Sequence, residues 1–143
     1  MRKAKAYLCM CYRGENADGA SDEDIQVNID KAVLQARAIH RAFPESLELY
    51  VPHLNEAMVH RLWKKGYVTS TEILDVCCDI VAEQDFVIAF RPLSKGMERE
   101  MHYAIRLGMP VLYFDVFDDE AKEVIAMAIL KYGENNGKES QVT

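Results

Sequence analysis

Long hydrophobic runs are missing from this 143-residue chain, whose apolar stretches fall far short of the roughly 20 residues that a bilayer span requires. Its first residues contain neither an apolar run of about seven residues nor a small-residue cleavage site, so we expect no secretory signal. No basic block offsets the net charge of −6, which argues against general binding to nucleic acids or to anionic membranes. We therefore expect a cytoplasmic protein with neither a membrane partner nor a nucleic-acid partner.

The four cysteines do not follow the spacing of a zinc ribbon, which has two separated C-x-x-C pairs. Cys9 and Cys11 fall on one face of a predicted strand, whereas Cys77 and Cys78 are adjacent in a predicted helix. Reduced thiols that pack as small hydrophobic side chains are typical of a cytosolic protein, and metal or redox use of the thiols is the alternative. The sequence implies neither an organic cofactor nor a metal.

The alternation of short apolar runs with helical periodicity predicts the fold class. The elements follow the order β-α-β-α-α-β-α-β-α, and the run Phe86–Phe90 is apolar throughout, as in strands that are covered on both faces of a parallel sheet. We predict an α/β fold: a three-layer, doubly wound, flavodoxin-like open parallel sheet of four to five strands with helices on both faces. A single domain is expected over residues 1–133, followed by a flexible polar tail over 134–143.

Capping residues and breakers predict where individual elements begin and end. Ser21 or Asp22 caps the first helix, and Thr69 with Glu72 forms a capping box that opens another. Further expected bounds are a helix over 70–84, a helix over 98–107 that Gly108 ends, a strand over 110–116 and a last helix that ends near Tyr132.

The loop after the third strand holds the most informative residues for function. Ligands of doubly wound folds bind at the carboxyl edge of the sheet, where this loop lies. Ser94 offers a hydroxyl, Gly96 allows a ligand to approach the backbone, and the first N–H groups of the following helix suit an anion such as phosphate. Glu100, about one turn into that helix, could act as a nucleophile or a base. Taken alone, these residues also fit ordinary helix capping.

The loop after the first strand is expected at the same edge. Tyr12, Arg13 and Gly14 bring a phenol, a guanidinium and a flexible turn to it. Arginine favours bidentate contacts with phosphate or carboxylate groups, although a solvated surface loop would also contain such residues. The joint placement of two polar loops at one edge favours a ligand site.

These residues belong to a longer ordered pattern. It comprises Tyr7-Leu8, Tyr12-Arg13-Gly14, Asn28, Ala32, Pro52-His53, Ser94-x-Gly96-Met97-x-x-Glu100-x-x-x-Ala104 and Gly108-Met109-Pro110-Val111. The pattern resembles the nucleoside 2-deoxyribosyltransferase-like superfamily, and within it the small bacterial and phage proteins with a "PYRG…PH…SxGMxxE" signature and the nucleoside 5′-monophosphate N-glycosidases. The likeness spans about Ala6 to Phe114.

The resemblance implies a role for each matching position. Glu100 would be the nucleophile that attacks the anomeric carbon of a nucleoside, and Ser94 would bind a 5′-phosphate. The other positions would bind substrate: Tyr12, Arg13, Gly14, His53, Gly96 and Met97. By the same likeness we expect cleavage or transfer at an N-glycosidic bond, a nucleotide or nucleoside as the small-molecule partner, and a homo-oligomer that is a dimer or larger.

The sequence departs from this family at two positions. Cys11 stands where the family has the proline of its first loop, and Cys77 stands where the family has a helical aspartate that assists the leaving base or holds the sugar. Asp75 and Asp79 flank Cys77 and are the candidate acids. Because they would point about 200° around the helix from Cys77, a catalytically inactive nucleotide-binding or sensor module stays open as the alternative. A pure interaction scaffold fits least.

Overall fold

The computed structural model describes the backbone of residues 2–11 and 21–142, and the side chains of these residues except 56, 57 and 133–142. Four parallel strands form its sheet: β1 (Ala4–Cys9), β2 (Leu47–Tyr50), β3 (Phe86–Phe90) and β4 (Val111–Phe114). They lie side by side in the order β2-β1-β3-β4. The predicted open parallel α/β sheet is therefore confirmed.

Helices connect the strands and cover both faces of the sheet. They are α1 (Asp22–Ala42), α2 (Glu56–Lys64) after a 3₁₀ turn (Pro52–Asn55), α3 (Ser70–Ala82), α4 (Lys95–Arg106) and α5 (Asp119–Val142). Within the described residues, no helix is long and apolar enough to cross a membrane.

Two hydrophobic cores lie on opposite faces of the sheet because side chains alternate along each strand. Ala6 and Leu8 of β1 pack into the core that Ile39 of α1 and Ile125 of α5 cover. Tyr7 and Cys9 point the other way, into the core that Val81 of α3 and the residues Met97 and Ala104 of α4 cover. This three-layer arrangement places α3 and α4 together over the face that carries Tyr7 and Cys9.

The predicted helix starts are largely confirmed. Ser21, rather than Asp22, is the N-cap of α1, where it forms a capping box with Asp24. Thr69 and Glu72 form the capping box predicted for α3. Gly108 follows α4 with a φ of 75°, a left-handed conformation that glycine adopts without strain.

Other predicted bounds are wrong. α4 begins at Lys95 rather than Glu98, because Ser94 caps it and Gly96 is accommodated in its first turn. α3 ends at Ala82, and β4 covers only Val111–Phe114. α5 continues as helix beyond Tyr132 to Val142, through most of the segment for which a flexible tail is predicted. The two glycines and two asparagines of residues 133–142 disfavour helix, so intrinsic propensity does not explain this continuation.

Candidate functional site

Glu100 lies on the face of α4 that is turned toward the sheet. Met97 and Ala104, which share this face at helical spacing, are almost fully buried, and Glu100 between them is partly buried. The carboxylate of Glu100 reaches the end of β1, where the thiol of Cys9 donates to Glu100 Oε2 across 3.6 Å. Since β1 is a central strand, the carboxylate sits close to the carboxyl edge in the middle of the sheet.

Tyr7 lies two residues before Cys9 on the same face of β1 and is fully buried. Its ring stacks on Tyr50 of β2, with the ring centroids 5.7 Å apart. Its hydroxyl interacts with Glu100 and with Cys77 of α3. Yet Tyr7 Oη forms no hydrogen bond of standard geometry within the described part of the chain. The contact between this hydroxyl and Glu100 therefore lies outside standard hydrogen-bond geometry. The Tyr7 hydroxyl has lost its hydration and faces the Glu100 carboxylate, which is the polar group that it acts on.

Burial dominates the electrostatics of this cluster. It raises the pKa of Glu100 from its usual 4.5 to about 7, although Tyr7 and Cys9 act in the opposite direction by donating to the ionised carboxylate. Burial, with the negative charge of Glu100 as the next cause, raises the pKa values of Tyr7 and Cys9 well above their usual range. Tyr7 and Cys9 therefore stay protonated at neutral pH, whereas Glu100 exchanges its proton there.

The N-terminus of α4 lies one turn away from this carboxylate along the same helix. Ser94 Oγ accepts a hydrogen bond from the backbone N–H of Met97 at 3.2 Å, so this hydroxyl serves as the N-cap. The amides of Lys95 and Gly96 precede the helical hydrogen-bond ladder, which begins with the bond from Glu98 N–H to the Ser94 carbonyl. A Cβ at Gly96 would meet only Leu74 Cδ2, at 3.4 Å, which is ordinary packing distance. Gly96 therefore packs against α3 on that side.

His53 lies in the 3₁₀ turn after β2 and is 2 % exposed. Its Nε2 lies 3.1 Å from the carbonyl oxygen of Cys11, and because a carbonyl only accepts, Nε2 carries the hydrogen. Burial lowers the pKa of the imidazole, so the ring is neutral near pH 7. The structure thus shows His53 holding the backbone beyond β1, and its predicted contact with substrate stays a prediction.

Not all predicted site residues are brought together. Tyr12, Arg13 and Gly14 lie outside the described residues, so their predicted contacts stay predictions. Asp75 and Asp79 are exposed on the outer side of α3, and Asp75 pairs with Arg99 at 2.8 Å. Neither aspartate is among the groups that shift the pKa of Glu100.

Sequence reasoning missed the surroundings of Glu100, which are Tyr7, Cys9 and Cys77. Tyr7 and Cys9 alternate along β1 and so lie on one face of the sheet, and this alternation is the signal that could have found these two residues. In the described part of the chain, no group of three or more histidine, cysteine, aspartate or glutamate side chains is arranged to hold a metal ion.

No family model, curated protein or solved structure matches the chain. The site therefore has to be interpreted from its own chemistry. It offers a carboxylate that ionises near neutral pH, a phenol and the Cys9 thiol that remain protonated beside it, and backbone amides suited to an anion one helical turn away. This combination can bind a phosphorylated ligand and present a nucleophile or base to it.

Proposed function

We propose that the protein cleaves or transfers at the N-glycosidic bond of a nucleoside 5′-monophosphate or nucleoside, with Glu100 as the nucleophile. The observation that carries this proposal is the position of Glu100, packed against β1 beside Tyr7 and Cys9 on the helix whose N-terminus suits a phosphate. The sequence resemblance to deoxyribosyltransferase-like proteins implies the same role for this residue.

The reaction would proceed in two displacements. One oxygen of the ionised Glu100 attacks the anomeric carbon of the sugar, and the carbon–nitrogen bond breaks as its electron pair moves to the base. The departing base takes a proton from a donor or from water. Water, or a second base, then attacks the anomeric carbon and releases the Glu100 carboxylate, which gives hydrolysis or transfer respectively.

The surrounding side chains support this chemistry in distinct ways. Tyr7 and Cys9 donate to the ionised form of Glu100, and both lower its pKa against the effect of burial. The first-turn amides of α4 would hold the 5′-phosphate at the positive end of the helix dipole. A nucleotide whose 5′-phosphate is held by these amides would bring the anomeric carbon of its sugar to the Glu100 carboxylate.

A panel of nucleoside 5′-monophosphates and nucleosides, with free base detected by chromatography, tests the proposal. We expect base release from the wild-type protein and a loss of at least about a hundredfold in Glu100→Gln, since the amide cannot form the glycosyl ester. Glu98→Gln is the matched control, because Glu98 is exposed on the same helix and should not affect release. Release that survives in Glu100→Gln would refute the proposed nucleophile.

The pH dependence provides a second readout. Because only the ionised carboxylate is nucleophilic, base release should rise with pH and level off above the Glu100 pKa of about 7. A rate that falls through this range would contradict the assignment.

A second candidate is a nucleotide-binding module without turnover. It is favoured by the placement of Asp75 and Asp79, which are exposed and do not act on Glu100. This candidate predicts that a nucleotide raises the melting temperature while no base is released. Base release that depends on Glu100 would exclude it.

A further inference from the structure

Cys77 lies on the face of α3 that is turned toward α4 and the sheet. Leu74, three residues earlier, would lie 3.4 Å from a Cβ at Gly96 in the first turn of α4. Val81, four residues later, is buried in the core that α4 shares with β1. Because residues at i, i+3 and i+7 share one face of a helix, the thiol of Cys77 is directed toward the same region.

The hydroxyl of Tyr7 lies between this thiol and the Glu100 carboxylate. It interacts with both groups, one from α3 and one from α4, and it forms no hydrogen bond of standard geometry within the described part of the chain. Two groups that contact the same oxygen lie within roughly 7 Å of each other. A nucleophile and a proton donor that act on one glycosidic bond need a similar separation, about 5 to 5.5 Å in retaining glycosidases.

Access from solvent distinguishes Cys77 from the other three cysteines. Cys9, Cys11 and Cys78 are buried, whereas Cys77 is partly exposed. The thiol of Cys9 also donates to Glu100 Oε2 across 3.6 Å, so its hydrogen is already engaged. A ligand that enters from solvent and reaches Glu100 can therefore contact the thiol of Cys77.

The proposed reaction needs a proton donor, because the departing base takes the electron pair of the carbon–nitrogen bond. Asp75 and Asp79 are exposed on the outer side of α3, and Asp75 is engaged in an ion pair with α4. The Nε2–H of His53 is directed to a backbone carbonyl beyond β1. Tyr7 is fully buried, and its pKa lies well above the usual range, so it keeps its proton. These four side chains are therefore poor donors to the base.

We propose that the thiol of Cys77 donates the proton to the departing base, while Glu100 attacks the anomeric carbon from α4. This inference rests on the proposed function. The S–H proton moves to a nitrogen of the base, and its bonding pair stays on sulfur as a thiolate. When water or a second base attacks the anomeric carbon, it returns a proton to the thiolate, so both groups end the cycle as they began it.

A thiol suits this role beside a buried carboxylate. It carries its proton at neutral pH and can release it to a stronger base. It is also uncharged while it holds that proton, whereas a second carboxylate would place another negative charge close to Glu100 and oppose its ionisation. The hydroxyl of Tyr7, which interacts with the sulfur, can donate a hydrogen bond to the thiolate that proton transfer leaves.

Two substrates that differ in whether the leaving group needs a proton provide the test. One is the nucleoside 5′-monophosphate that the wild type cleaves fastest, and the other is the 4-nitrophenyl glycoside of the same sugar 5-phosphate, since 4-nitrophenolate departs without a proton. In Cys77→Ala we expect kcat for base release to fall by about a hundredfold or more. Release of 4-nitrophenol should stay within about threefold of the wild type. Glu100→Gln should lose both reactions.

The matched control is Cys78→Ala, which removes the adjacent thiol of the same helix. Cys78 is 8 % exposed, so this change lowers stability, but it should leave the ratio of the two rates unchanged. Cys77→Ser is a second variant of nearly the same shape. Its hydroxyl donates a hydrogen bond but releases a proton poorly, so its base release should fall between those of the wild type and Cys77→Ala.

Two results would overturn the role of Cys77. One is an equal loss of both reactions in Cys77→Ala or Cys77→Ser with the melting temperature of the wild type, which indicates a structural role. The other is base release that neither variant slows. In both cases reactions that still require Glu100 would leave the proposed function intact. A wild type that releases neither base nor 4-nitrophenol would instead refute the proposed function, and the role of Cys77 with it.

Discussion

Replacement of Glu100 should stabilise the fold in a way that depends on pH. The pKa of Glu100 rises from 4.5 to about 7 on folding, so the folded protein holds a proton that the unfolded chain releases between these values. Stability from this group is present in full below about pH 4.5 and is lost as the pH rises through 7. At 1.36 kcal/mol per unit of pKa, the loss above pH 7 is about 3 kcal/mol.

Glu100→Gln removes this loss, because an amide stays neutral at every pH. At pH 8 we expect the variant to unfold with a free energy higher than that of the wild type by up to about 3 kcal/mol, or roughly 10 °C in melting temperature. At pH 4 the two proteins should be nearly equal. Urea unfolding at both pH values, followed by circular dichroism, measures the difference.

The control is Glu98→Gln, which changes the same kind of group on the exposed side of α4. It should alter the free energy of unfolding by less than about 0.5 kcal/mol at either pH. If Glu100→Gln proves less stable than the wild type at pH 8, or if its effect is the same at pH 4 and pH 8, then the carboxylate is not desolvated and the reasoning about its pKa is wrong.

Two further variants probe the contacts around this carboxylate. Tyr7→Phe removes a hydroxyl that lowers the pKa of Glu100, so the pH of half-maximal base release should move upward; an unchanged midpoint would show that the hydroxyl does not act on the carboxylate. Gly96→Ala adds a Cβ that meets only Leu74 at 3.4 Å, so the melting temperature should hardly change while binding of nucleoside 5′-monophosphates weakens. An equal weakening for nucleosides without a phosphate would refute the placement of the phosphate at this amide.

The fold was predictable because its signals are local. The uninterrupted apolar run of β3 indicates a strand that is covered on both faces, and the capping box of Thr69 and Glu72 sets the start of α3. The start of α4 was missed because a glycine at position 96 disfavours helix by its own propensity. The cap at Ser94 and the packing of Met97 against β1 outweigh that preference.

The surroundings of Glu100 were not predictable from local pattern. Tyr7 stands inside an apolar run and has the pattern of a core residue, and only the packing of α4 on β1 brings it to a carboxylate that is 93 residues away in the sequence. Helical phase did predict that Asp75 and Asp79 would point away from the position of Cys77. The structure places both aspartates in solvent, on a helix that begins at the capping box of Thr69.

The site therefore concentrates its proton chemistry in one residue. Tyr7 and Cys9 have pKa values that rise well above their usual range, partly because Glu100 is beside them, and they remain donors across the physiological range. Glu100 alone of these three groups has a pKa near 7. A small rise in pH thus converts a neutral carboxylic acid into a buried anion, which Tyr7 and Cys9 face and which lowers the stability of the fold. Positive charge that develops at the anomeric carbon of a substrate would lower the free-energy cost of this buried negative charge.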